Sequence, residues 1–591
     1  MIKTSWAFYV TLEIENFKHM KIFVLAVLML LSVSIARALD GTSNHHPERI
    51  LIKFAVDSQV HAEIQAFHKT VSPGRDHIIT TNQLDRYFVA SSFLSEHGLA
   101  SLRSMAWTSH NNKTVHDVSA ARNRMYISIV QDSARFDSIL EQLQSHPDIT
   151  FAEPDFIGFG GGKKAPDGLG QTFPGAPHKH IETRVTSYPD DRFFGLQWGL
   201  ENTGQAITEI NGVAGEDINI RPVWNITTGS NEITVAILDS GLPEVVPDLA
   251  GRVVPGYNFV SDTTSTDDDH AHGTGVTSIG FATGNNSGTM AGVDWNAKIM
   301  PVKVLNENNF GLYSWWVNGI YWAVDNGADI INMSLGGSDF SRSLEQAVTD
   351  AIASGVHVVA CMMNSNTNVP YIPAAFDGVI AVGAINNQGV RAAPFSWGGG
   401  SNYGSHINLA APGDRIIGLL RSDTEAAGYW SGTSMAAPMV AGVVSLMLSV
   451  NPDLDPADVE KILSETSRGD GNWNRYTGWG VLDAHAAVSS ALEMQETGIA
   501  QDLPHAVLLD QNYPNPFNPA TLITYQIPEQ SHVIVSVYSV DGKRVAVLVD
   551  GVQAAGRHSV PFDASGLGSG VYLYEIISGG QRNVRQMTLV K

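Results

Sequence analysis

The sequence predicts a multidomain chain whose largest part is an α/β domain, a parallel sheet with helices on both faces. A small α+β domain precedes it and a small antiparallel β-sandwich follows. Three observations predict this. Between residues 233 and 384, apolar β-rich runs alternate with helix-like stretches, the pattern of a parallel sheet covered on both faces. Ahead of them, residues 49–155 combine β-branched alternating runs with one run of helical period. Beyond residue 510, short alternating runs separated by turn residues replace both patterns. At 591 residues the chain is too long for one ordinary core, and its 43% hydrophobic content suffices for packing throughout.

Taken in order, residues 1–38 are expected to be an export signal. Lys21 precedes the apolar run Ile22–Leu31, and Ala36-Arg37-Ala38 is a small-x-small cleavage pattern. Met20 is the expected start of translation, because residues 1–19 carry Glu13 and Glu15, which are atypical of a signal's basic end. Residues 39–157 form the α+β domain. Arg49–Phe54 and Met125–Ile129 read as strands, and Phe136–Gln144 reads as a helix with Phe136, Ile139, Leu140 and Leu143 on one face. A short turn and a strand ending in Glu153-Pro154-Asp155 follow. Residues 158–189, which include Gly160-Gly161-Gly162-Lys163-Lys164, lose periodicity and predict an exposed, easily cut linker.

Residues 190–495 carry the parallel sheet. Its strands are expected at Ile233–Leu238, Lys298–Leu305, Asp329–Ser334, His357–Met363 and Val379–Ala384, with helices at 272–283, 313–326 and 341–354. Sites in such sheets form at the carboxyl ends of the strands, where Asp239 and Asn364 fall. A second linker over 496–509 leads to the sandwich over 510–591. Its clearest strands are Ile523–Ile527, His532–Tyr538 and Val571–Ile577, and Asp541-Gly542 is a hairpin turn.

Composition excludes several classes. With 59 acidic and 36 basic residues the net charge is −23, so a nucleic-acid binder, which needs a basic face, is not expected. No internal apolar run reaches membrane-spanning length. Cys361 is the only cysteine; it cannot form an intrachain disulfide and lies in an apolar run that reads as buried packing. No Cys/His cluster has zinc-ligand spacing.

The chemistry concentrates at Gly432-Thr433-Ser434-Met435-Ala436-Ala437-Pro438, which opens a run of small and apolar residues reading as a buried helix. A serine there can present both its hydroxyl and a free backbone N–H. As a nucleophile it needs a base and a group to orient that base. Asp239 ends one apolar run and His272 opens His272-Gly273-Thr274-Gly275-Val276. Taken singly, Asp239 could be a strand-end cap, and His272 and Ser434 helix caps.

The order Asp, His, Ser within these motifs resembles the subtilisin-like serine proteases (subtilases), a family that builds the same triad geometry on an α/β fold. Val235–Gly241 is similar to its aspartate strand, Asp329–Gly337 to its substrate-lining strand and Gly478–Ala484 to its closing turn. The resemblance implies Ser434 as nucleophile, His272 as base, Asp239 as its orienting acid and Asn364 as an oxyanion donor. It also implies that Ser334, Leu335 and Gly336 pair with substrate backbone as an added strand. The family usually has Ala-Gly-Asn where this chain has Met362-Met363-Asn364, so Met363 is expected to narrow or reshape the first specificity pocket. Ala271 replaces a usual glycine and Gly275 a common histidine; neither change removes a reacting group.

Gln197, Asp248 and Asn286 match positions that build a calcium site in many subtilases, with a one-residue insertion near Asn286. The α+β domain resembles the family's inhibitory propeptide. Asn515-Pro516-Phe517-Asn518-Pro519, Gly570–Tyr574 and Met587–Lys591 resemble sorting domains of the type IX secretion system. Together these imply a secreted or cell-surface endopeptidase made as a self-processed zymogen. Its expected partners are protein or peptide substrates, its own propeptide and the secretion machinery, and the mature enzyme is expected to be a monomer. Two readings compete: a narrow-specificity processing protease, if Met363 constricts the pocket, and a surface scaffold with a vestigial site, which the complete triad opposes. Sedolisin-like acid proteases place a glutamate where this chain has His272, which disfavours them.

Overall fold

A computed structural model describes residues 44–70, 78–80, 88–105, 124–164, 189–421, 423–496, 507–512, 515–527, 531–553 and 556–590. The expected signal, its start and most of both linkers lie outside these residues. The chain divides into two units, Met1–Leu492 and Glu493–Lys591.

The first unit begins with a small antiparallel sheet. Its strands are β1 (His45–Phe54), β2 (Ile78–Thr80), β3 (Leu99–Ser104), β4 (Met125–Val130) and β5 (Ile149–Gly160), in the order β5-β1-β4-β3-β2. Helices α1 (Gln59–Thr70), α2 (Phe88–Glu96) and α3 (Phe136–Gln144) accompany it. Period-two alternation assigns the two faces. Ile50, Ile52 and Phe54 join Phe93, Ile139 and Leu143 in the domain's own core. Leu51 and Ile127, pointing the other way, join the core of the larger domain. The small sheet is therefore buried on both sides, and β5 continues as a strand well past the sheet it belongs to.

The larger domain holds seven parallel strands in the order β8-β9-β7-β11-β13-β14-β15. These are β7 (Thr234–Asp239), β8 (Tyr257–Asn258), β9 (Lys298–Lys303), β11 (Ile330–Met333), β13 (His357–Cys361), β14 (Ile380–Ile385) and β15 (Leu409–Pro412). The short strands β6 (Lys163–Lys164), β10 (Phe310–Leu312) and β12 (Leu335–Gly336) lie outside this sheet. Helices α4 (His272–Phe281), α5 (Tyr313–Asp325) and α6 (Arg342–Ala353) fall where the sequence predicts them. The hairpin β16 (Ile416–Leu420) and β17 (Asp423–Ser431) leads into α7 (Thr433–Val450), whose residues are buried from Thr433 to Leu448. Contrary to the expectation that no internal run reaches membrane-spanning length, this helix is long and apolar enough to cross a membrane by length and composition; it is packed inside the domain, its residues buried from Thr433 to Leu448.

His357 opens β13 at 3% exposure, and burial lowers its imidazole to about 4. The folded protein thus resists a proton that the unfolded chain accepts near 6.5, so stability should fall as pH drops from 6.5 to about 4. The shift corresponds to about 3 kcal/mol. Urea melts of His357→Gln should show that much less loss over the window than wild type; parallel curves would remove His357 as a cause.

The second unit is a sandwich. One sheet runs β18 (Leu508–Leu509), β19 (Ala520–Ile527), β22 (Gly556–Asp563); the other runs β21 (Arg544–Gln553), β20 (Ser531–Ser539), β23 (Gly570–Ser578), β24 (Gln581–Leu589). Alternate residues Ile523, Tyr525, Ile527, Val533, Val535, Val537, Tyr574 and Ile576 form the core between them. Gly542, at φ +83°, turns the hairpin expected at Asp541-Gly542.

One expectation is corrected. Residues 158–164, read as the start of a linker, are strand and close approach instead. Ile157–Gly160 of β5 lie between β10 on one side and β12 on the other, and β6 pairs with β17. Glycines carry little β propensity of their own; neighbouring strands on both sides supply the order.

Candidate active site

Asp239 is the last residue of β7, and its carboxylate meets His272 at the first turn of α4. The His272 Nδ1 to Asp239 Oδ1 distance is 2.7 Å, and both side chains are fully buried. The same oxygen accepts the Ser240 N–H at 2.7 Å, which fixes the carboxylate plane. His272 Nε2 is buried with no hydrogen-bond partner.

The placement of His272 depends on a residue that sequence reading passed over. Asp268 accepts from the His270, Ala271 and Thr274 N–H groups and from the Thr274 and Ser240 hydroxyls. Burial pushes the Asp268 carboxyl up, but these donors outweigh it and hold the group below the ordinary range. Asp268 thereby organises the turn before α4 while Ala271 sits at φ +89°, which accounts for the glycine expected there. Gly275 is explained as well: a Cβ there would meet the Trp430 ring at 3.1–3.3 Å, so the indole occupies the space a larger residue would take.

Ser434 stands in the first turn of α7. Its Oγ donates to the Ser334 carbonyl at 3.0 Å and lies 3.7 Å from Cys361 Sγ, so it is turned away from His272. Rotation about χ1 is the motion that would direct it to the imidazole; catalytic hydrogen bonds are often unformed outside the reacting complex. Asn364 follows β13. Its Oδ1 accepts from the Thr433 N–H at 2.8 Å and the Thr433 hydroxyl at 3.1 Å, which leaves Nδ2 facing the cleft. Nδ2 donates to the carbonyl oxygen of Gly161.

Ser334, Leu335 and Gly336 line the adjacent wall. Leu335 and Gly336 pair with Gly160 and Phe159, and the Gly161 N–H donates to the Ser334 carbonyl at 2.9 Å. Gly432 permits this approach. It sits at φ +155°, and a Cβ there would meet Gly161 O at 2.5 Å and the Gly162 Cα at 2.7 Å. Upstream, the small domain is anchored by two carboxylates. Glu153 accepts from the Ser341 hydroxyl and the Arg342 and Ser343 N–H groups at the start of α6. Asp155 accepts from the hydroxyl and N–H of Ser314 at the start of α5.

The three sequence-predicted calcium residues fall in one region. Asp248 accepts from the Thr289 and Met290 N–H groups, and Asn286 Oδ1 from the Gly288 N–H at 2.7 Å. A Cβ on Gly288 would meet Asp248 Oδ1 at 2.2 Å and Asn286 Oδ1 at 2.3 Å, so two side-chain oxygens converge on one small space. Gln197 clasps the backbone of Ala291 beside them. Asp191, not foreseen, adds a buried Oδ1 that has no partner. Burial first, and repulsion between neighbouring carboxylates as a smaller cause, raise both Asp191 and Asp248. This all-oxygen donor set fits a hard cation. No group of three or more His, Cys, Asp or Glu side chains with metal-holding geometry occurs among the described residues.

Comparison with known proteins gives two family matches. Residues 230–480 match the model of the subtilase family, and residues 511–591 match that of a secretion system C-terminal sorting domain. A thermophilic serine proteinase of Bacillus sp. (strain AK1) is 33% identical over 354 residues, covering 60% of this chain and 76% of that one. Subtilisin DY of Bacillus licheniformis is 40% identical over 263 residues, covering 44% of this chain and 91% of that one. An extracellular protease of Xanthomonas campestris pv. campestris is 31% identical over 408 residues, covering 61% of this chain and 63% of that one.

Proposed function

The chain belongs to the subtilase family of serine proteases, and on that premise we propose that it is a secreted endopeptidase made as a self-processed precursor. The observation that supports this reading is that Gly161 and Gly162 lie among these groups: Asn364 Nδ2 donates to the Gly161 carbonyl, a Cβ on Gly161 would lie 2.6 Å from Ser434 Oγ, and one on Gly162 would lie 3.4 Å from the Nε2 of His272, which Asp239 holds at Nδ1.

In the proposed reaction, Ser434 Oγ adds to the substrate carbonyl carbon as its proton passes to His272 Nε2. Asp239 keeps Nδ1 protonated and stabilises the imidazolium. The negative oxygen of the tetrahedral intermediate is held by Asn364 Nδ2 and the Ser434 N–H. The carbon–nitrogen bond then breaks and His272 gives the proton to the leaving amine. A water molecule repeats the addition on the acyl ester, its proton taken by His272 and passed back to Ser434, and a carboxylate leaves. Incubating the processed protein with casein at neutral pH should yield peptides, and a serine-directed phosphonyl reagent should stop this. Inertness would favour the vestigial-site reading.

Calcium is the proposed structural ion, held by Gln197, Asp248 and Asn286 with Asp191 beside them; its role is charge neutralisation and loop anchoring, not chemistry. Calcium at a hundredfold excess over its dissociation constant should add about 2.7 kcal/mol to stability. A melting temperature of wild type that does not respond to calcium, or an equal response in Asp248→Asn, would remove the site.

The route outward is proposed to use the N-terminal signal and the sorting sandwich. Deleting residues 510–591 should hold the protein in the periplasm of a type IX-competent host; unaltered export would refute the sandwich's role.

A further inference from the structure

The cleft is occupied by the chain's own residues 158–164, and the fit records what the cleft accepts. Gly161 presents its N–H to Ser334 and its carbonyl to Asn364, the position of a bond about to be cut. Beyond it, Lys163 and Lys164 pair with Ser431 and Trp430 on the far side of Ser434. The bond between the triad residues is therefore Gly161–Gly162.

The space that a side chain at position 161 would enter is filled. A Cβ on Gly161 would lie 2.6 Å from Ser434 Oγ, 2.8 Å from Cys361 Sγ and 2.9 Å from Met363 Sδ. Ser434 can relieve its contact by turning to His272. The other two cannot move freely. Cys361 is fully buried at the end of β13, with its sulfur 3.6 Å from Met363 Sδ. Met363 is held at φ +66°, and its Cγ packs so closely on Gly336 that a Cβ there would come within 2.9 Å.

The closure extends upstream. A Cβ on Gly160 would meet the Asn309 side chain at 2.3–2.6 Å, and one on Gly158 would meet the buried Trp316 ring at 2.1 Å. Phe159 between them is half exposed and meets no such wall. Gly162 is less confined, with its nearest contact Met435 Sδ at 3.0 Å.

We propose that this is a glycine-directed endopeptidase. It cuts on the carboxyl side of glycine in Gly-x-Gly-Gly segments, its own Gly161–Gly162 bond first, and Cys361 and Met363 set the preference. The inference rests on the serine-endopeptidase reading above and names its substrate class. Hydrolysis adds one water across the bond, leaving a carboxylate on Gly161 and an amine on Gly162.

The test uses the processed enzyme from the full chain and quenched peptides of sequence Gly-Phe-Gly-X-Gly-Lys, with X as Gly, Ala, Leu or Phe. Active enzyme is counted with a small fluorophosphonate that carries no peptide side chain, so the count is independent of pocket shape. We expect kcat/KM to fall at least about tenfold from Gly to Ala and about a hundredfold or more to Phe. The matured chain should begin at Gly162, and Gly161→Phe in the precursor should block that cut. Cys361→Ala combined with Met363→Gly should raise cleavage of the Phe peptide relative to the Gly peptide. A labelled enzyme that cuts Phe and Gly peptides equally would overturn the proposal while leaving the protease reading intact. An enzyme that takes no label would overturn both. The wild-type peptide series decides even if the double variant fails to fold.

Discussion

Ser434→Ala should leave the precursor uncut, with casein hydrolysis reduced on the order of a millionfold, the scale seen when the nucleophile is removed from enzymes of this family. No neighbour can replace the lost hydroxyl. The Thr433 hydroxyl is committed to Asn364 Oδ1, and Ser334 Oγ donates to the Ser434 carbonyl. The Cys361 sulfur is close enough to be considered, but burial raises its thiol above the ordinary range, so it stays protonated and a poor nucleophile. The fold should survive, because the hydroxyl's bond to the Ser334 carbonyl is worth only about 1 kcal/mol. Intact mass after expression reads the outcome directly. A cut chain carrying Ser434→Ala, with host proteases excluded, would end the assignment.

Asp239→Asn should lower kcat by about 10⁴ while leaving the buried geometry in place. Asp239 Oδ1 receives both His272 Nδ1 and the Ser240 N–H. An asparagine can satisfy that corner in two ways, and each is harmful. With its oxygen facing His272, the imidazolium loses its counter-charge and the new NH₂ is buried without an acceptor. With its nitrogen there, the amide donates to Nδ1, the ring proton moves to Nε2, and His272 can no longer accept from Ser434. The reading is kcat at saturating Gly-Gly peptide with KM measured alongside. A kcat within tenfold of wild type would show that His272 is oriented by something other than Asp239.

Much of this was legible in the sequence because the signals were local and strong. The five strand runs and three helical runs of the large domain are apolar, of clear period and flanked by turn residues, and the structure places each within a few residues of its expected bounds. The candidate residues Asp239, His272 and Ser434 stand out in the sequence because each lies in its own motif. What escaped was set by tertiary partners. Residues 158–164 look like a linker, since a glycine run has no period; only β10, β12 and β17 make it a strand. Asp268 and Asp191 are ordinary loop acids until folding surrounds one with five donors and buries the other. The sequence points to Met363 as narrowing or reshaping the first pocket and to Cys361 as buried packing; only the fold brings the Cys361 sulfur to 3.6 Å from Met363 Sδ beside Gly161.

Strand β5 joins the small domain to the cleft through an unbroken backbone, so until Gly161–Gly162 is cut, occupancy of the cleft does not depend on how much protein is present. Tethered partners of this kind meet at effective concentrations in the millimolar range. On the proposed processing, one hydrolysis would change the order of the equilibrium. The occupying strand and the enzyme become separate solutes, and the fraction still paired then falls with volume. A protein confined in a narrow compartment would stay largely occupied after the cut, while the same protein released into open surroundings would be emptied by dilution alone. If Gly161–Gly162 is the bond cut, as proposed, that single bond would link the onset of activity to the space the molecule has reached.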